Sequence, residues 1–178
     1  MIANEGISIK PNIIRAVSIS PMQPEDWPAV RAIYLEGIST GQATFETEAP
    51  SWEQWDGAHL PFARLSARHE GEVVGWAALG PVSQRRAYAG VAEVSVYVAA
   101  NTRGLGVGRT LLHHLVAEAE KHGIWTLQAV VFPENAATMA LHKRAGFREV
   151  GRRHRISKLN GVWRDTVLLE RRSETIVA

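Results

Sequence analysis

Arg103-Gly104-Leu105-Gly106-Val107-Gly108-Arg109 stands between a strand-like run, Ala92 to Val98 (AEVSVYV), and an amphipathic helical run, Val107 to His122. Strand, glycine turn and helix in this order make an anion cradle. Glycines let the backbone approach a ligand, their amides line a concave loop, and the helix start adds about half a positive charge. Spacing then sorts the possible phosphate ligands. A Walker loop needs glycine where Arg103 stands and lysine where Arg109 stands, and a dinucleotide fingerprint needs a third glycine at Arg109. Both fail, and R-x-x-G-x-G survives as a loop suited to a pyrophosphate.

The chain around this loop alternates strands and helices. Residues 1–12 read as a polar, flexible N-terminal extension, followed by a strand from Ile13 to Ile19. Pro24 to Gly37 reads as a helix with proline in its first turn, and Ser51-Trp52-Glu53-Gln54 is a capping box that opens a second, short helix. Phe62 to His69 and Val73 to Leu79 flank Glu70-Gly71-Glu72 as a hairpin. After the loop, Leu111, Leu112, Leu115, Val116 and Ala119 form one apolar helical stripe that Gly123 ends. A strand from Ile124 to Phe132, a helix from Asn135 to Arg144, and strands from Phe147 to Ser157 and Val162 to Arg171 complete the chain, the last pair turning at Asn160-Gly161. The order β-α-α-β-β-β-α-β-α-β-β gives an α+β fold, a mixed sheet of about seven strands flanked by helices. One domain over residues 13–172 is expected, with a short tail over 173–178.

Composition narrows the chemistry. The chain has 178 residues, 46% of them hydrophobic, which suffices for one full core. A formal net charge of +2, with basic and acidic residues interleaved, argues against a nucleic-acid partner. The densest basic cluster, Arg152, Arg153, Arg155 and Lys158, reads as a solvated surface because alternation divides it between two strand faces. There is no cysteine, so disulfides, thiolate zinc sites and a cysteine nucleophile are excluded. His113 and His114 are adjacent on a helix and no metal-ligand spacing occurs, so no metal is expected. No run is long enough to span a bilayer, and the start lacks a signal-peptide pattern. A cytoplasmic protein without a membrane partner is expected. The six tryptophans are dispersed along the chain and read as core or interface aromatics.

Two places carry reactive groups. In Ala92 to Val98, alternation puts Glu93, Ser95 and Tyr97 on one face and Val94, Val96 and Val98 on the other. Glu93 is a carboxylate in a strand that feeds directly into a ligand loop, which suits a general base. Asn135, Thr138 and His142 share one face of the following helix, which ends in Ala145-Gly146-Phe147.

The glycine loop, followed one strand later by Asn135, Leu141-His142 and Gly146-Phe147, resembles the paired coenzyme motifs of the GNAT N-acetyltransferase superfamily. Thr44-Phe45-Glu46-Thr47-Glu48, Ala87-Tyr88 before Glu93 to Val98, and Asn160 to Asp165 resemble the phosphinothricin N-acetyltransferase family within it, over about residues 14–171. The resemblance implies the acyl-coenzyme A N-acyltransferase fold and acetyl transfer from acetyl-coenzyme A to the amino group of a small amino-acid-like acceptor, of the phosphinothricin or methionine sulfoximine type. It implies Glu93 as catalytic carboxylate and His142 in place of the tyrosine that elsewhere protonates the departing thiolate. Val96, Tyr97 and Val98, the loop from Arg103 through Gly104, Leu105, Gly106, Val107 and Gly108 to Arg109, and Asn135 with Arg144 are the coenzyme-binding residues it implies. Phe45, Arg85, Arg86 and Tyr88 are the acceptor-binding residues, and a homodimer is expected. Gly80-Pro81 is followed by Val82-Ser83, where the family commonly carries an aromatic and then a basic residue. Two further readings are an acetyltransferase for protein N-termini or polyamines and a non-catalytic acyl-coenzyme A sensor.

Overall fold

The computed structural model describes residues 17–176, so the expected N-terminal extension and the start of the expected first strand lie outside the described residues. Short alternating runs form seven strands: β1 (Val17–Pro21), β2 (Leu65–His69), β3 (Glu72–Pro81), β4 (Val91–Val98), β5 (Thr126–Val131), β6 (Arg148–Leu159) and β7 (Val162–Arg172). Their order in the sheet is β1-β2-β3-β4-β5-β7-β6, and every neighbouring pair is antiparallel except β4 with β5. Four helices cover it: α1 (Trp27–Ser39), α2 (Trp52–Ala58), α3 (Val107–Lys121) and α4 (Ala136–Arg144).

Alternation along the strands sends apolar side chains to two different helical layers. Ala77, Leu79, Ala92, Val94, Leu127 and Ala129 meet the α3 stripe of Leu111, Leu112 and Leu115, with Met139 and Leu141 of α4 at its margin. On the opposite face Trp76 and Ala78 of β3 meet Val30 and Ile33 of α1 and Trp55 of α2. Four tryptophans converge there: ring centroids of Trp27, Trp52 and Trp55 lie 5.6–5.7 Å apart, and Trp55 lies 5.7 Å from Trp76. Four of the six dispersed indoles thus form one aromatic cluster, to which Tyr34 and Tyr97 belong.

Several boundaries differ from the expected ones, for physical reasons. The first helix starts as a 3-10 turn at Pro24–Asp26 and runs past Gly37 to Ser39. Gly37 is not a terminator. A Cβ there would stand 2.7 Å from Cδ1 of Tyr97, so the glycine lets α1 lie close against β4. Strand β2 begins at Leu65 rather than Phe62, and β5 begins at Thr126, where the Trp125 and Thr126 amides share the Gly90 carbonyl at 2.8 and 3.1 Å. The capping box at Ser51 forms as expected: its hydroxyl accepts from the Gln54 amide and the Gln54 side chain accepts from the Ser51 amide.

Asp26 fastens the α1 layer to the sheet edge. It is 6% exposed and accepts from the Gln23 amide (3.1 Å), the Ser66 hydroxyl (2.9 Å) and the Arg68 guanidinium. Burial alone would raise its pKa, but these donors outweigh burial and hold the carboxyl below the ordinary aspartate value. A depressed carboxyl pKa stabilises the fold above the ordinary value and loses that contribution as pH falls through the folded one. Asp26→Asn is therefore expected to cost about 1.5–3 kcal/mol at neutral pH, the worth of a hydrogen bond to a charged group. Urea midpoints at pH 7 and at pH 3 check this, since the gap between wild type and variant should shrink in acid.

Candidate active site

The parallel pairing of β4 with β5 lasts for only three rungs, from Val91 opposite Thr126 to Glu93 opposite Gln128. Beyond it, β4 stays on β3 as far as Val98 opposite Gly75, and β5 stays on β7 as far as Val131 opposite Val167. The facing edges part into a wedge. Residues Val94 to Val98 therefore offer backbone groups on that side that no β5 residue pairs, a template on which an extended amide-containing chain can lie like an added strand. The Val98 carbonyl accepts from Arg103 Nε at 3.0 Å.

At the head of the wedge is the glycine loop. A 3-10 turn at Ala100–Thr102 leads into it, and α3 starts at a left-handed N-cap, Gly106, with φ +87°. A glycine N-cap has no side chain to cover the first-turn amides, so the donors at the start of α3 stay available to an outside acceptor. Those uncapped amides, next to an unpaired strand edge, are the donor set that a pyrophosphate joined to an amide-containing arm requires. Arg103 is exposed; besides Val98 its guanidinium lies 3.9 Å from Glu36. Leu105 and Gly108 are half-buried, Val107 is buried and Arg109 is exposed. Arg144 is exposed at the far end of α4.

Asn135 caps α4, accepting from the Thr138 amide at 3.1 Å, while its Nδ2 donates to the Gln42 carbonyl at 3.1 Å. His142 is 3% exposed, and its Nδ1 lies 2.9 Å from the Thr138 carbonyl. A carbonyl only accepts, so Nδ1 carries the proton and Nε2 the lone pair. Nε2 is buried without a partner among the described residues, and burial holds the ring pKa below the ordinary histidine value. The ring is neutral near pH 7 and stands edge-on to Phe147 at 4.9 Å.

Glu93, Ser95 and Tyr97 share one face of β4, as alternation predicts. Tyr97 is stacked on Trp76 at 4.7 Å and meets Tyr34 edge-on at 4.8 Å. Its side chain thus belongs to the α1 face, and only its backbone follows the wedge. Two cavities open on this face. One of about 410 Å³ is lined by Ser95, Tyr97, Tyr34, Trp55, Glu46 and Glu48 among others; another of about 420 Å³ is lined by Val91, Arg85, Tyr88, Ser83 and Gln128 among others. Glu93 falls between Val91 and Ser95, hence between the two cavities. Solvent reaches its side chain, yet the surrounding protein crowds the carboxyl and raises its pKa, with Arg153 opposing the rise. A carboxylate poised above the usual glutamate value is a better proton acceptor near neutrality.

The acceptor-binding residues expected from sequence separate. Arg85 and Tyr88 line the second cavity, with the Arg85 guanidinium 5.8 Å from the Tyr88 ring. Arg86 is exposed beside them and lines neither cavity. Phe45 instead packs edge-on to Phe132 at 4.8 Å. Arg164, over the same Phe132 ring at 4.4 Å, donates to the Gly41 carbonyl at 3.2 Å, so the segment between α1 and α2 is tied to β7 and to the start of α4. Sequence reading missed Gln128, Arg153 and the Trp55–Trp76 wall. Only strand register brings them here, and a single sequence carries no signal for it.

A splayed parallel pair with a glycine-turned helix start at its head defines an acyl-coenzyme A N-acyltransferase architecture. Residues 22–147 match the profile of the Acetyltransferase (GNAT) family, and the chain belongs to that family. It is 34% identical over 165 residues to a phosphinothricin N-acetyltransferase of Alcaligenes faecalis, covering 88% of this chain and 82% of the relative. It is 28% identical over 162 residues to an L-methionine sulfoximine/L-methionine sulfone acetyltransferase of Pseudomonas paraeruginosa, covering 87% and 94%. Among solved structures, a phosphinothricin acetyltransferase from Sinorhizobium meliloti in complex with AcCoA superposes with a TM-score of 0.80 at 27% identity, covering 88% of each chain. The chain is an N-acetyltransferase, as its motifs imply.

Proposed function

We propose that this enzyme acetylates the amino group of a small amino-acid-like acceptor, of the methionine sulfoximine or phosphinothricin type, by direct attack. The observation that carries the reading is Glu93, crowded and raised in pKa, on the β4 face between two cavities and beside the wedge. The relatives' named acceptors support the substrate class.

Acetyl-coenzyme A, when bound, supplies an activated acetyl thioester. The amides at the start of α3 hold its pyrophosphate, with Arg103 and Arg109 as neighbouring cations, and the free edge of Val96 to Val98 aligns its amide-containing arm. An ammonium has no lone pair, so Glu93 takes its proton, directly or through one water. With Nδ1–H given to Thr138, neutral His142 accepts rather than donates at Nε2. Protonating the departing thiolate would require the imidazolium, which burial disfavours. In this reading His142 therefore orients α4 against Phe147, and the thiolate takes its proton from solvent. Arg85 and Tyr88 bind the acceptor's distal polar group.

The enzyme acts in the cytoplasm as a homodimer. Val150, Ile156, Val162 and Trp163 are exposed on β6 and β7 at the sheet's edge, apolar surface that a second copy would cover. The function is tested by incubating acetyl-coenzyme A with a panel of amines and following released thiol. Methionine sulfone, methionine sulfoximine or phosphinothricin should turn over fastest. Much faster acetylation of spermidine or a peptide N-terminus overturns the acceptor while leaving the reaction.

A further inference from the structure

Register places a cation on the sheet face of Glu93, on the far side of the wedge. Glu93 pairs with Gln128, Gln128 with Glu170, and Thr166 lies four residues from Glu170 on the same face of β7. Thr166 in turn pairs with Arg153 of β6, whose Nε donates to the Thr166 hydroxyl at 3.1 Å. Glu93, Gln128, Thr166 and Arg153 therefore share one sheet face. Thr166 is 1% exposed, so the Arg153 guanidinium is held at its root on a rigid strand.

Arg153 differs from most arginines of β6 and β7; Arg155 and Arg172 also lack a carboxylate partner among the described residues, but only Arg153 is tied to a buried hydroxyl on the sheet face of Glu93. Arg148, Arg152, Arg164 and Arg171 on the same two strands each hold a carboxylate, Glu170, Asp165, Glu134 and Glu120 respectively. Among the described residues Arg153 has no carboxylate partner and bonds only Thr166, which leaves both terminal nitrogens of its fork unassigned. Glu93 likewise has no ion pair among the described residues. A carboxylate and a guanidinium on one sheet face, on either side of a cleft and paired with no other charge among the described residues, match the two charges of a free α-amino acid.

The geometry points to Arg153 as the anchor for the acceptor's carboxylate, seated so that the acceptor's amino group is delivered to Glu93. The inference rests on the amino-acid reading of the acceptor and adds to it a requirement for a free carboxylate. It gives a strand residue of the basic cluster a binding role, separate from Arg85, which serves the distal group. Guanidinium forks bind carboxylates through two parallel N–H bonds, which fixes orientation as well as affinity.

The test pairs a variant with an altered acceptor. Methionine sulfone and its carboxamide are compared in wild type and in Arg153→Gln, with released thiol as readout. Wild type should prefer the acid strongly. Arg153→Gln should raise the KM for methionine sulfone about 10- to 100-fold, the loss of a charge-assisted interaction, leave the KM for acetyl-coenzyme A unchanged, and treat acid and amide alike. Arg153→Lys, which keeps charge without the fork, should fall between and guards against a folding defect in the first variant. An unchanged KM, or an acid-over-amide preference that survives in Arg153→Gln, overturns the assignment while the acceptor class stands. A wild-type enzyme that acetylates no amino acid defeats both.

Discussion

Glu93→Gln is expected to lower kcat by about 10²–10⁴-fold, the usual share of general-base catalysis, while the affinity for acetyl-coenzyme A stays close to that of wild type. Glutamine preserves the shape of the side chain and removes only its basicity. The pH dependence supplies a second signature. Crowding raises the Glu93 carboxyl above the ordinary glutamate value, against the pull of Arg153, and only the deprotonated form accepts a proton. Activity in wild type should therefore fall as pH drops through that raised value, and the Glu93→Gln variant should show no such limb. Steady-state kinetics from pH 5 to 9 measure both. A near-normal rate in the variant would show that another base acts or that the amine arrives neutral.

Gly106→Val is expected to weaken acetyl-coenzyme A binding by about 10²–10⁴-fold, equal to two charge-assisted hydrogen bonds at about 1.5–3 kcal/mol each. Gly106 has φ +87°, a conformation that a β-branched residue resists. The loop must change shape, and the amides at the start of α3 lose their aim. The body of α3 is anchored elsewhere, by Leu111, Leu112 and Leu115, all fully buried. Calorimetry with acetyl-coenzyme A alongside a thermal melt separates the two effects. Unchanged affinity would remove the loop from the coenzyme site.

Local chemistry made most of the fold legible in the sequence. Ser51 and Gln54 close their capping box, Asn160-Gly161 turns the last hairpin, and the α3 stripe faces the sheet because periodicity alone decides it. Boundaries were less legible where a distant partner sets them. Gly37 reads as a helix stop until Tyr97 is seen beneath it, and Phe62 reads as strand although it lies outside β2, its ring stacked on His122 at 4.3 Å. For the proposed site, the glycine loop and Glu93 stand out in the sequence, since each is a local anomaly in its element. Arg153 does not. Alternation correctly divides the basic cluster between two faces, but which face looks across a cleft depends on pairing through β7 and β5. The tryptophan wall is hidden for the same reason, its members being brought together from α1, α2 and β3.

Asn135 touches both halves of the molecule at once, holding the first turn of α4 through Thr138 and the Gln42 carbonyl of the segment before α2. That segment contributes Glu46 and Glu48 to one cavity, while α4 flanks the loop, with Leu141 3.5 Å from where a Gly108 Cβ would lie. One side chain thus joins a wall of that cavity to the helix beside the glycine loop. The Asn135 amide keeps a second N–H and a second lone pair, so a ligand could engage it with the Gln42 bond intact, and ordering this one side chain would stiffen both walls. If the proposed donor and acceptor sites lie on these two walls, any such coupling would be reciprocal: whatever the first substrate did to the grip of the second, the second would do equally to the first.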